Sequence, residues 1–163
     1  MTTLIGTNFG AVTFTTATNT TPVLGGGRGF SVGARATDYN GKEYTFVQSA
    51  SAIAAYDMVT VDSSTGIAAG LSTTTATTAE TVAVAQYALA SGDYGWVQIY
   101  GACKTKVLGS CVKSINLWTT ATAGSLDDAT SSNYLVMNVQ LLSTNPSATA
   151  SAMSAFISWP KVR

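Results

Sequence analysis

The 163-residue chain contains no histidine. That absence removes the Ser-His-Asp and Cys-His designs of nucleophilic catalysis, and with them the commonest metal ligand. Cysteine is scarce as well, with Cys103 and Cys111 the only two. Two thiols without an imidazole do not complete a typical zinc site. A tight turn at Leu108-Gly109 would set Val107 opposite Ser110 and Cys103 opposite Ser114, so the spacing predicts two reduced thiols rather than a bridge. Charge is the third shortage. Only 10% of residues are charged, against a usual share of about 25%. The eight basic and eight acidic residues cancel, which leaves no basic field to hold nucleic acid and no charge block of the kind seen in disordered tails. No apolar run approaches the ~20 residues of a membrane-spanning helix. The opening MTTLIGTNFG has neither a basic n-region nor an apolar h-region, so synthesis and retention in the cytoplasm are expected.

Thr, Ala, Ser and Gly fill the space that charge vacates. Such a surface is neutral and weakly solvating, and suits either hydroxyl-based solubility or close packing among subunits. The length fits one domain, or one domain with an arm. At that size folding buries roughly 68–70% of the unfolded surface, so neither metal nor disulfide is needed for stability.

Residues 1–34 differ from the rest. TTATNTTPVLGGGRGFSVG is rich in Thr and Gly, and three consecutive glycines (Gly25, Gly26, Gly27) disfavour any regular element. An extended arm is expected, with one short strand near Ala11 to Thr15. An arm that lies on a neighbouring chain would explain its composition. From residue 35 to 163 a β-domain is expected. Asn40-Gly41 between strand-like flanks predicts a type I′ hairpin turn. Period-2 alternation then recurs in YTFVQ, MVTVD, TVAVAQ, the long WVQIYGACKTKV, INLWTT, YLVMNVQLL and AMSAFISWP. DSSTG, SGDYG and LGS read as turns, and ATAGSLDDATSSN as a loop. Only SASAIAA offers a helical turn. The fold class is therefore all-β: a small barrel or sandwich with an extended N-terminal arm. Phe46, Val59, Val61, Val84, Val97 and Ile99 are its predicted core.

Chemistry is thinly represented. Lys104, Lys106 and Lys113 fall at strand and turn positions where solvation is expected. GGGRG (25–29) has the glycines of a phosphate cradle but lacks the Lys-Ser/Thr of a P-loop. Asp127-Asp128 are neighbours in a Gly-Ser loop, where carboxylates usually accept backbone N–H bonds. General acid–base work on a glycoside needs two carboxyls facing each other across a substrate, roughly 5–9.5 Å apart. In YGWVQIYG, Tyr94, Trp96, Gln98 and Tyr100 share one face. That face is either a stacking platform or a buried surface, and the thin set of polar partners (Gln98, Asp93) favours burial. No enzyme is expected and no cofactor.

One stretch resembles a known class. A-I-A-x-x-D-x-V (residues 52–59) followed by A-x-x-x-x-A-x-G-D-Y-G-W-V-x-x-x-G (residues 85–101), with TAGSLDD (122–128) after it, is similar to the small β-barrel decoration, or cement, proteins of tailed-phage heads, of the marine-phage type. The resemblance covers roughly residues 40 to 130. It implies a β-tulip-like form of the barrel and a structural virion protein on the capsid exterior, non-enzymatic, often trimeric, with the major capsid protein as partner and neither nucleic acid nor membrane. On that reading Leu4, Ile5, Phe9, Val23, Leu24, Arg28, Phe30, Trp96 and Tyr100 are the expected interface. The alternative is a phage tail protein or a surface-displayed, carbohydrate- or host-binding β-module, using the Trp/Tyr face or the loop at 119–133.

Overall fold

The computed structural model describes residues 30–76, 81–129 and 133–163, together with the backbone of Thr13 and Phe14. The described residues contain no helix, and the helical turn expected at SASAIAA is instead a bend carrying an isolated bridge between Ile53 and Leu89. The strands are β1 (Thr13–Phe14), β2 (Arg35–Thr37), β3 (Glu43–Ser49), β4 (Met58–Val61), β5 (Ile67–Gly70), β6 (Thr81–Val84), β7 (Tyr94–Val107), β8 (Leu117–Thr119), β9 (Leu126–Asp127), β10 (Leu135–Leu141) and β11 (Ser151–Val162). All eleven belong to one sheet.

That sheet closes on itself twice. β3, β4, β5, β6 and β7 form one ring, through β3–β7, β7–β6, β6–β4, β4–β5 and the parallel pair β5–β3. β7, β8, β9, β10 and β11 form a second, through β7–β11, β11–β10, β10–β8, β8–β9 and the parallel pair β9–β7. The 14-residue β7 belongs to both. Its first half lies against β3, from Gln48↔Tyr94 to Glu43↔Tyr100, and its second half against β11, from Ser158↔Tyr100 to Ser151↔Val107. Closure removes most sheet edges, which a β protein with so few charges can ill leave open.

Each ring has its own core. Val47, Val59, Val61, Ala68, Ala83, Ala85, Val97 and Ile99 fill the first, with Ile53 and Leu89. Small residues suit so narrow a barrel. Val107, Leu117, Leu126, Val136, Leu141, Ala155 and Ile157 fill the second. Met58, Val82 and Val84 face that second cluster while Val59 and Ala83 face the first. β4 and β6 are thus buried on both faces and form the wall between the rings. All six predicted core residues are buried, but in three places rather than one: Val84 faces the second ring, and Phe46 faces outward from the first.

Two local expectations are corrected. At the Asp38–Lys42 turn only Gly41 has positive φ (+76°), so this is not a type I′ turn. The Asp38 carboxylate accepts the N–H groups of Asn40 and Lys42 at 2.8 and 3.0 Å, and the Gly41 N–H reaches the Asp38 carbonyl at 3.1 Å. This local carboxylate cap supplies a turn that Asn40 enters without left-handed geometry. The predicted hairpin at Leu108-Gly109 also fails. The partner of Cys103 across the strands is Ala155, because β7 pairs with β11 rather than with the residues that follow it.

Candidate functional site

The motif residues of 52–59 and 85–101 converge, and their work is structural. Ile53 and Leu89 bridge through both backbone bonds, at 2.9 Å each, and the Tyr56 N–H reaches the Ala85 carbonyl. The Asp57 carboxylate accepts the Ala54 N–H at 3.0 Å and pairs with Lys106 Nζ at 3.2 Å. Asp93 accepts the Ala90 N–H at 3.0 Å, closing the SGDYG turn. A Cβ at Gly95 would stand 2.6 Å from Leu89 Cδ2, which explains that glycine.

The aromatic face predicted along β7 divides in two. Trp96 is only 4% exposed and packs with Phe46, Tyr44 and Ala36, flanked by Phe30 and Tyr94. The Phe30 and Trp96 rings meet edge to face at 4.9 Å. Next along the strand, Gln98 is wholly buried, and its Nε2 donates to the Tyr100 and Ala102 carbonyls at 3.0 Å each. Those carbonyls lie where β7 passes from one ring to the other.

Tyr100 lies at that point, half-buried, and joins a second group whose other rings are exposed. Its ring stacks on Trp159 at 4.7 Å and 29°, and meets Phe156 edge-on at 5.6 Å and 78°. Trp159 is 43% exposed and Phe156 37%. The indole N–H of Trp159 donates to Glu43 Oε2 at 3.2 Å. Trp159 has φ +47°, a left-handed conformation that costs a bulky residue of order 1–2 kcal/mol. It sits where β11 leaves β7 to pair with β6 at Lys161↔Thr81, in a bulge of β11 that sets residues 158–160 opposite the single residue Asn138 of β10. Sequence reasoning missed this group because its members are 43, 100, 156 and 159, and no local period links them.

Aliphatic side chains form a separate exposed group. Val112 and Ile115 lie in the turn before β8, and Leu142 just after β10; all three are about half exposed. The Ser114 N–H bonds the Leu141 carbonyl, so the two segments are neighbours.

The remaining candidates are quiet. Lys106 is not simply solvated, since it is partly buried against Asp57. Lys104 and Lys113 are exposed, as expected. Cys103 and Cys111 are free thiols. The Sγ of Cys111 and the carboxylates of Asp127 and Asp128 lie within 4.8 Å of one another. Asp128 accepts the Val112 N–H at 2.9 Å, and Asp127 accepts the Asp128 N–H at 2.9 Å. Burial, then Asp128 and Asp127, push the Cys111 thiol up to about 11. It therefore stays protonated near neutrality, and the cluster reads as a hydrogen-bonded lock between the 111–112 turn and β9. A shallow cavity of about 180 Å³ opens at one end of the first ring, lined by Arg35, Thr45, Val61, Asp62, Thr81 and Ile99 among others.

Of the expected interface, Leu4, Ile5, Phe9, Val23, Leu24 and Arg28 lie outside the described residues, as does GGGRG before Phe30. Phe30 and Trp96 lie together in the buried aromatic cluster, and Tyr100 lies on the surface. The short strand expected near 11–15 is present as β1, and it pairs with this chain's own β7 at Gly95 and Tyr94. No family profile matches the chain, and neither a curated protein nor a solved structure matches it.

Proposed function

We propose that this chain is an architectural protein of a tailed-phage head: a decoration protein that binds the outer surface of the capsid and stabilises it through contacts with the major capsid protein and with sister copies, as a trimer. The observation that carries the reading is the exposed aliphatic group Val112, Ile115 and Leu142 on a surface of very low charge. Branched aliphatic side chains without convergent polar partners offer a protein neighbour a dry contact and offer a substrate nothing to react with. Many weak contacts of this kind gain avidity when repeated on a lattice. On this reading the arm expected at 1–34 adds main-chain contacts to a neighbour through the parts that do not pack on this chain's own sheet.

Electron microscopy of purified virions tests this directly. Density for the chain on the outside of the head is expected; density confined to the tail, or none, refutes the reading. Deleting residues 1–24 is expected to abolish head binding while leaving a folded domain. Full coating by the truncated chain would remove the arm from the proposal.

A further inference from the structure

The geometry points to a carbohydrate-binding platform at the junction of the two rings, built from Tyr100, Phe156 and Trp159, with Glu43 and Asn138 at its rim. The ligand class is the pyranose ring of a neutral glycan. This site is distinct from the aliphatic group on which the head-binding reading rests.

Three observations converge. First, Trp159 has left-handed backbone at φ +47° and its indole is left 43% exposed rather than taken into a core, with exposed Phe156 on the same strand. Second, two contacts orient the indole without a ligand. Tyr100 stacks on one side of Trp159 at 4.7 Å, and the indole N–H is fixed by Glu43 at 3.2 Å. Rigid aromatic groups lose little conformational entropy on binding. Third, the polar groups are peripheral. With its N–H already engaged, the indole offers a flat apolar face, while Glu43 and the exposed Asn138 offer hydrogen-bond partners at the edge.

That arrangement matches a pyranose, whose axial C–H groups form an apolar face and whose hydroxyls radiate from the ring edge. A protein side chain fits it less well, since protein hot spots seek a pocket to fill, whereas the flat element here is one indole face, backed by Tyr100, with the Phe156 ring turned 78° to Tyr100 behind it. A nucleic acid would need a basic track, and the carboxylate of Glu43 stands at the platform instead.

The test uses the full chain on a glycan array, followed by titration with methyl pyranosides of the sugars retained. The three indole N–H signals, from Trp96, Trp118 and Trp159, are followed by NMR. The Trp159 signal is expected to shift while that of buried Trp96 stays. Trp159→Ala is expected to weaken binding about tenfold or more, and Trp159→Phe to keep most of it. Should Trp159→Ala fail to fold, Phe156→Ser and Glu43→Gln replace it, with weakened binding expected in each. No retained glycan, or unchanged affinity in these variants, overturns the proposal. Head coating by Trp159→Ala separates the two readings. Retained coating is expected, whereas coating lost from a chain that binds no glycan makes the platform a protein contact and overturns the proposal.

Discussion

Asp57 and Lys106 meet where the two rings adjoin, Lys106 Nζ standing 3.2 Å from Asp57 Oδ1. The carboxylate does more than pair, because its Oδ2 also accepts the Ala54 N–H at 3.0 Å and so holds the bend before β4. Lys106 is partly exposed, and an exposed ion pair contributes about 1 kcal/mol or less. A backbone N–H left without its acceptor costs about 1–3 kcal/mol. Asp57→Ala is therefore expected to destabilise by roughly 2–3 kcal/mol, and Lys106→Ala by less than about 1 kcal/mol. Urea unfolding of both variants checks this, and equal losses would assign the stability to the ion pair instead.

Thr105 offers a prediction of the opposite sign. It is fully buried on β7, and its Oγ1 has no hydrogen-bond partner among the described residues. Replacing an unsatisfied buried hydroxyl with a methyl of the same shape removes a desolvation penalty. Thr105→Val is expected to stabilise by about 1 kcal/mol, seen as a higher thermal midpoint. A lower midpoint would mean that the hydroxyl has a partner in solution.

Trp96→Ala is expected to cost about 3–5 kcal/mol, because the ring is buried against Phe30 and Phe46. The effect belongs to stability, so glycan binding by the folded fraction should be unchanged. Chemical denaturation together with the pyranoside titration separates these two quantities.

The thiols set the alkaline behaviour. Burial pushes Cys103 up to about 12, with Lys42 opposing, and Cys111 up to about 11. Burial and Asp38 raise Tyr44 above its ordinary range. For each group the neutral form is favoured in the fold, so the associated stability is complete below the unfolded pKa of about 8.5 for a thiol or about 10 for the phenol. It is lost as pH rises toward the folded values. Stability should fall above about pH 9, and Cys103→Ala should flatten part of that fall. At the acid end, bonds from Ser64 and Thr65 lower Asp62 to about 2. Its contribution is present above the ordinary carboxylate range and is lost as pH falls from there through about 2, which NMR titration of the Asp62 carboxyl would follow. Labelling of both thiols near pH 7 should be slow in the native chain and fast in denaturant.

Most strands were legible from residue order alone because β-branched and aromatic residues alternate along them; β9, two residues within the stretch read as a loop, was not. WVQIYGACKTKV announced β7, and DSSTG announced the turn in which Asp62 accepts bonds from Ser64 and Thr65. What stayed hidden is non-local. Nothing near Cys103 tells that its neighbour is Ala155, and nothing in YGWVQIYG tells that Trp96 turns to Phe30 while Tyr100 turns to Trp159. Continuous alternation along β7 implied one face for Tyr94 to Tyr100. The bulge opposite Glu43–Tyr44 and the left-handed Gly101 divide that face.

The shared strand β7 makes the chain indivisible. A cut or circular permutation near Tyr100 would open both barrels at once, since each closes only through this strand. Unfolding should accordingly proceed as a single cooperative event despite the two cores. Folding should be slow, because neither circuit can be completed until segments far apart in the chain have met along the same fourteen residues.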